Sequence, residues 1–211
     1  MADSTAADIK FTGTDIRKLR ELTGAGMMDV KKALTENGGD MDKAMAYLRE
    51  KGLAGVAKRS GRSADSGMVH SYLHRSNPDL PPTVGVLLEL NCETDFVAKT
   101  DQFQTLAKEL ALHVASADPL YISKDDVPNE VVESERKIYT AAAREEGKPE
   151  AALDKIVEGR ISGYFKAVCL LEQPFVKDNK KTIQVLLDET GAAIGEKVAV
   201  RRFARYRVGQ G

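Results

Sequence analysis

Apolar positions in the first quarter of the chain recur every three to four residues in three short runs, each closed by a stop signal. Ile16, Leu19 and Leu22 or Thr23 make one face of a helix that Thr14 can cap and Gly24 ends. A second helix starts at Gly26 or Met27, turns Val30, Ala33 and Leu34 inward, and halts at Asn37-Gly38-Gly39. Asp40 can cap a third that carries Met41, Ala44, Met45 and Leu48, with Gly52 placed to end it. The pattern predicts a three-helix module over residues 1–53. A linker that can be partly helical follows over residues 54–66, where Gly55, Gly61, Lys58, Arg59 and Arg62 leave little apolar periodicity.

The pattern then changes. Met68-Val69-His70-Ser71-Tyr72-Leu73 reads as a strand, and Asn77-Pro78 with Pro81-Pro82 makes a long turn. The run from Val84 to Leu90 is almost continuously apolar, which is how a strand buried on both faces reads, and it would pair with the first as an antiparallel hairpin. A helix over residues 101–116 places Phe103, Leu106, Ala107, Leu110 and Val114 in one stripe, with His113 on its border. Pro128 and Pro149 each open a helix, the first carrying Val131, Val132, Ile138 and Ala142 and ending at Gly147. The second carries Ala152, Leu153, Ile156, Ile161, Phe165 and Val168, and so short a link makes the two a helical hairpin. A short helix with Ile183, Leu186 and Leu187 ends near Gly191. The last strand sets Val198, Val200 and Tyr206 on one face against Arg201, Arg205 and Arg207 on the other, with Arg202 and Phe203 breaking the pattern. The predicted class is α+β: helices at the front, then a core over residues 67–211 with a three-stranded antiparallel sheet and a helical hairpin.

Thirty-one basic and 32 acidic side chains give a net charge of -1, so no global field draws the chain to nucleic acid or an anionic membrane. No apolar run has the length of a membrane-spanning helix, and the first residues lack the order of a secretion signal, so the expectation is a cytoplasmic protein. Cys92 and Cys169 match no metal spacing and read as buried free thiols ahead of a disulfide within the chain or between subunits.

Little in the sequence points to catalysis. It offers no nucleophile beside a base and no phosphate loop after a strand, so neither catalytic residues nor a cofactor nor a metal is expected. His70 and His74 would share a strand face but lack a third ligand, and read as solvated or edge histidines. Arg201 to Arg207 interleaves arginines with aromatic rings, as binders of single-stranded RNA do, but reads first as an edge strand guarded by charge. Two features are not explained by core building. Met27 and Met28 stand together at a helix start, where at least one must face outward. Asp95-Phe96 follows the apolar strand across four small or polar residues, and Phe96 either staples the loop to the next helix or is held out for a partner.

Three stretches carry a resemblance. Leu19-Arg20-Glu21-Leu22-Thr23-Gly24-Ala25-Gly26-Met27-Met28-Asp29-Val30-Lys31-Lys32-Ala33-Leu34, then Leu90-Asn91-Cys92-Glu93-Thr94-Asp95-Phe96-Val97, then Gln173-Pro174-Phe175-Val176-Lys177 resemble the translation elongation factor Ts family, in the right order. The resemblance implies a guanine-nucleotide exchange factor for elongation factor Tu, with no active-site chemistry of its own. It implies that the first helices form a module like a ubiquitin-associated domain, docking on the GTPase through Arg20, Met27, Met28 and Lys31, with His113 a further contact. It also implies that Thr94, Asp95, Phe96 and Val97 act near the partner's magnesium ion, that both GDP-bound and nucleotide-free partner are bound, and that nucleic acid is not. Longer members carry two core lobes, whereas one strand set here bears the Asp-Phe tip; the short form implies a homodimer. Val30 stands where a cysteine is common, a small apolar exchange.

Overall fold

The computed structural model describes residues 11–23 and 25–210. The stop read at Gly24 and the first ten residues lie outside that range. In order, the elements are α1 (Gly13–Thr23), α2 (Met27–Glu36), α3 (Met41–Arg59), β1 (Ser66–His74), β2 (Val84–Cys92), α4 (Asp95–Ala98), α5 (Asp101–Ala117), α6 (Asn129–Glu145), α7 (Glu150–Val168), β3 (Pro174–Phe175), β4 (Asp178–Thr182), α8 (Ile183–Ile194) and β5 (Ala199–Arg207). The class is α+β, with β2 central in a three-stranded sheet of order β1-β2-β5. Thr83 donates to the His74 carbonyl across the hairpin and Val208 donates to the Thr83 carbonyl, as antiparallel neighbours do.

The chain divides into two compact units. The first holds the described residues up to Gly67 together with Asn91–Phe103 and Leu187–Ala199. Within it α1, α2 and α3 pack on one another around Leu19, Val30, Ala33, Leu34, Ala44 and Leu48, edged by Phe11, Ile16, Met41 and Met45. Thr12, not Thr14, caps α1: its hydroxyl accepts from Asp15 N while the Asp15 carboxylate accepts from Thr12 N at 2.7 Å. Asn37 and the left-handed Gly38 and Gly39 end α2 as the sequence suggests.

Gly52 does not stop α3, which runs on to Arg59 through part of the stretch read as linker. A Cβ at Gly52 would stand 3.2 Å from Ala192 Cβ of α8, so the glycine serves close helix packing rather than termination. Gly191, likewise read as a stop, lies inside α8; the left-handed glycine at this end is Gly195, φ 87°.

The second unit holds Met68–Leu90, Gln104–Leu186 and the chain from Val200 on. β2 alternates instead of being covered on both faces: Val84, Val86, Leu88 and Leu90 are buried while Leu87 is exposed. Phe103, Leu106, Ala107, Leu110 and Val114 of α5 are all buried, as their spacing predicts. The left-handed Asp118 follows α5, and its carboxylate meets Arg205 at 2.8 Å. That arginine also donates to the Ala115 carbonyl, so Arg205 is covered and Tyr206 exposed, the reverse of the expected alternation. Two consecutive exposed arginines, Arg201 and Arg202, shift the phase of β5. The hairpin of α6 and α7 is present, though Ile138 faces solvent and Ala143 takes the buried place. The two-stranded β3–β4 ribbon was not legible, because its strand Asp178–Thr182 is polar throughout. Both cysteines are buried and free, and burial pushes the Cys169 thiol up to about 11.

A braced turn at the end of the central strand

β2 ends in a one-turn helix. Cys92 is buried and its thiol donates to the Thr94 carbonyl at 3.1 Å, which folds the chain sharply after the strand. Thr94, extended at φ -130°, caps α4 by accepting from Val97 N, and Thr100 donates to the Val97 carbonyl and opens α5. A helix of four residues has room for one inward side. Val97 and Ala98 are half-buried, so Asp95, Phe96 and Lys99, spaced one and three residues apart, share the outward side.

Phe96 is 79% exposed and staples nothing. Lys99 ties the outward side together: its Nζ stands 2.7 Å from Asp95 Oδ2 and 5.8 Å from the centre of the Phe96 ring. This lysine holds the Asp95 carboxyl below its usual range.

The turn is held from beneath by groups that sequence reading missed. Glu196, one residue past Gly195, accepts at Oε2 from the backbone N–H groups of Glu93 and Thr94, both at 3.0 Å, and at Oε1 from the Thr94 hydroxyl at 2.6 Å. Glu93 answers by accepting from Lys197 N at 2.7 Å and pairing with Arg62 at 3.2 Å, which together lower its pKa. Asn91 donates to the Ala64 carbonyl, and Lys197 Nζ to the carbonyls of Ser60 and Arg62. Only the number of acids and bases in this neighbourhood was visible beforehand, since the partners lie about a hundred residues apart in sequence and the pairing depends on the fold.

In the same unit, Arg20, Met27, Met28 and Lys31 are all exposed on α1 and α2. Both methionines point outward, Met27 at 55% and Met28 at 75%, because Val30, Ala33 and Leu34 occupy the inward face of α2. Of the pair Leu22 or Thr23 offered for the apolar face of α1, Leu22 is exposed and Thr23 takes the half-buried place.

His113 belongs to the second unit and is not a border residue; it is fully buried. Its Nδ1 accepts from Val176 N at 3.3 Å, so Nε2 carries the proton and donates to Gln173 Oε1 at 2.9 Å. Gln173 Nε2 in turn donates to the carbonyls of Ala167 and Ala117. The histidine thus shapes the Pro174–Lys177 turn, and burial depresses its pKa. His74 meets Tyr72 at 3.2 Å, and among the described residues no three of His, Cys, Asp or Glu are grouped to hold a metal ion. Nor is any described helix long and apolar enough to cross a membrane.

Comparison with known proteins gives one consistent family. The family model described as Elongation factor TS matches residues 11–210. A relative called Elongation factor Ts from Frankia alni is 64% identical over 210 residues, covering 100% of both chains. Another of that name, from Frankia casuarinae, is 65% identical over 196 residues, 93% of this chain and 96% of its own. A third, from Geotalea uraniireducens, is 50% identical over 203 residues, 96% of this chain and 92% of its own. A match over nearly the whole length, reaching the Asp-Phe turn as well as the helices before it, has one reading: this chain belongs to the elongation factor Ts family.

Proposed function

We propose that this chain is the guanine-nucleotide exchange factor of elongation factor Tu, and that it works by docking and wedging rather than by covalent chemistry. Family membership implies the exchange role and the partner. The observation that carries the finer reading is Phe96: an aromatic ring, 79% exposed, on a turn fixed at the end of a buried strand.

In GTPases of this kind a loop of backbone amides and a magnesium ion hold the β-phosphate. Arg20, Met27, Met28 and Lys31, on a three-helix module like a ubiquitin-associated domain, dock on the nucleotide domain of the GDP-bound partner. Docking brings Thr94 to Val97 against the magnesium site, where Phe96 inserts and displaces the partner's backbone, weakening the phosphate contacts. Asp95 adds a negative charge that competes for groups organising the magnesium. His113 supports docking at one remove, through the Val176 turn it holds.

Because coupling is reciprocal, the factor binds the nucleotide-free partner more tightly by the ratio in which it weakens GDP. A thousandfold weakening corresponds to about 4 kcal/mol. Incoming GTP or GDP then expels the factor, so the direction of exchange is set by cytoplasmic nucleotide levels.

The outer face of the sheet supports pairing of two chains. Val69, Leu73 and Leu87 are exposed there, and Gly85 lets Leu73 lie close across it, 3.3 Å from where a Cβ would be. An apolar sheet face open to solvent is covered when two copies meet face to face, giving a homodimer with two wedges.

The test is release of fluorescent GDP from elongation factor Tu with and without a substoichiometric amount of this protein. Acceleration with turnover supports the proposal. An unchanged release rate sinks it.

A further inference from the structure

Phe96 can push only if its mount resists, and α4 buries no residue of its own to supply that resistance. On the strength of the exchange reading above, we propose that Glu196 is the positioning residue of the wedge, holding the turn in its working geometry through a chain of hydrogen bonds. Its carboxylate accepts both backbone N–H groups of Glu93 and Thr94 on one oxygen and the Thr94 hydroxyl on the other. That hydroxyl is the cap of α4, accepting from Val97 N at 3.4 Å. Removing the carboxylate therefore orphans two amides and frees the cap that orients the turn carrying Phe96.

The brace is reciprocal. Glu93 accepts from the backbone N–H of Lys197, the residue after Glu196, while Lys197 Nζ ties to the carbonyls of Ser60 and Arg62 behind α3. Three segments distant in sequence thus meet at one pair of acids: the tail of α3, the end of β2 and the turn after α8. The three-helix module that bears Met27 and Met28 ends in the first of these, so the brace fixes wedge and docking helices within one unit.

A second observation marks the position as built. A Cβ at Gly191 would stand 2.8 Å from the Glu196 carbonyl oxygen, closer than real side chains come to a backbone atom. Only glycine lets the chain fold back on α8 tightly enough to present Glu196 to the turn. The turn that carries Phe96 therefore depends on two residues outside it, Glu196 and Gly191.

Two arms test this. In the first, release of fluorescent GDP from elongation factor Tu is followed at rising concentrations of wild type, Glu196→Ala and Glu196→Gln. A loosened wedge lowers the maximal rate, about tenfold or more for a displacement near an ångström, while docking through Met27 and Met28 leaves the half-saturating concentration within about twofold. In Glu196→Gln the amide oxygen still accepts from both amides, so it recovers most of the maximal rate. In the second arm, hydrogen exchange of the Thr94 and Val97 amides is measured in the free protein, and Glu196→Ala exposes both. An unchanged maximal rate in Glu196→Ala, a loss confined to half-saturation, a Gln variant as damaged as Ala, or unchanged protection at both amides overturns the proposal. A wild type that accelerates nothing sinks the exchange reading itself, and amide protection then decides the positioning role alone.

Discussion

Replacing Phe96 with alanine separates an interaction residue from a core residue more cleanly than any other single change in this chain. The ring is 79% exposed, so removing it opens no cavity, and the stability cost should stay within about 0.5 kcal/mol, as for other surface substitutions. Phe103, seven residues on and fully buried, is the contrast: Phe103→Ala should cost about 3 to 5 kcal/mol. Nearly the whole Phe96 ring is available to a partner, and burying it there contributes about 1.5 to 3 kcal/mol. At about 1.4 kcal/mol per tenfold step, that predicts a fall in exchange efficiency of roughly 10-fold to 150-fold. The assay pairs urea unfolding of the free protein with GDP release from elongation factor Tu at subsaturating factor. A variant that melts early shows the ring to be core, and a variant as stable and as active as wild type shows it to be idle surface. Either result refutes the wedge.

Three further outcomes follow from the same geometry. Met27→Asp with Met28→Asp should leave the fold intact, since both side chains are exposed, yet raise the half-saturating concentration about tenfold or more; titration of GDP release against factor concentration reads it. His113 is held below its ordinary pKa of 6.5 by burial, so the unfolded chain takes up a proton that the folded chain refuses. The stability His113 contributes is therefore complete above pH 6.5 and falls as the pH drops toward its lower folded value. Urea midpoints of wild type and His113→Gln at pH 7.5 and 5.5 should converge at the lower pH. Leu87→Asp with Leu73→Asp, on the open sheet face, should shift sedimentation from dimer to monomer without loss of helical circular dichroism.

Strong local signals carried through to the structure. Val30, Ala33 and Leu34 of α2, and the stripe from Phe103 to Val114 on α5, are buried as their spacing predicts, because a helical stripe has few other places to go. Misreadings arose where one residue type serves two physical ends. Gly52 and Gly191 look like helix stops, but each makes room for a close neighbour, Ala192 Cβ in one case and the Glu196 carbonyl in the other. The branched side chains of β2 suggest burial on both faces, and only the sheet's one-sided packing shows that Leu87 is outside. On β5 two adjacent outward arginines reverse the alternation, so Arg205, one of the arginines interleaved with aromatic rings, is turned to Asp118 and Ala115.

The turn bearing Asp95 and Phe96 was legible in its tip and illegible in its support. An acid and an aromatic ring after a strand stand out in one dimension, and sequence left Phe96 undecided between core and partner. Its exposure resolves that ambiguity toward the surface. The brace of Glu196, Glu93 and Lys197 left no trace, because hydrogen bonds between residues about a hundred positions apart have no period and no spacing.

An exchange factor of this kind must distinguish the nucleotide-free from the GDP-bound state of its partner. The most direct measurement is a pair of titrations on elongation factor Tu: its apparent affinity for GDP at rising concentrations of this protein, and the affinity of this protein for the two states of the partner. Reciprocal coupling requires the factor by which GDP binding weakens at saturation to equal the ratio of the two affinities, with the nucleotide-free state preferred. Equal affinity for both states, or a GDP affinity that does not move, would rule out exchange by reciprocal coupling.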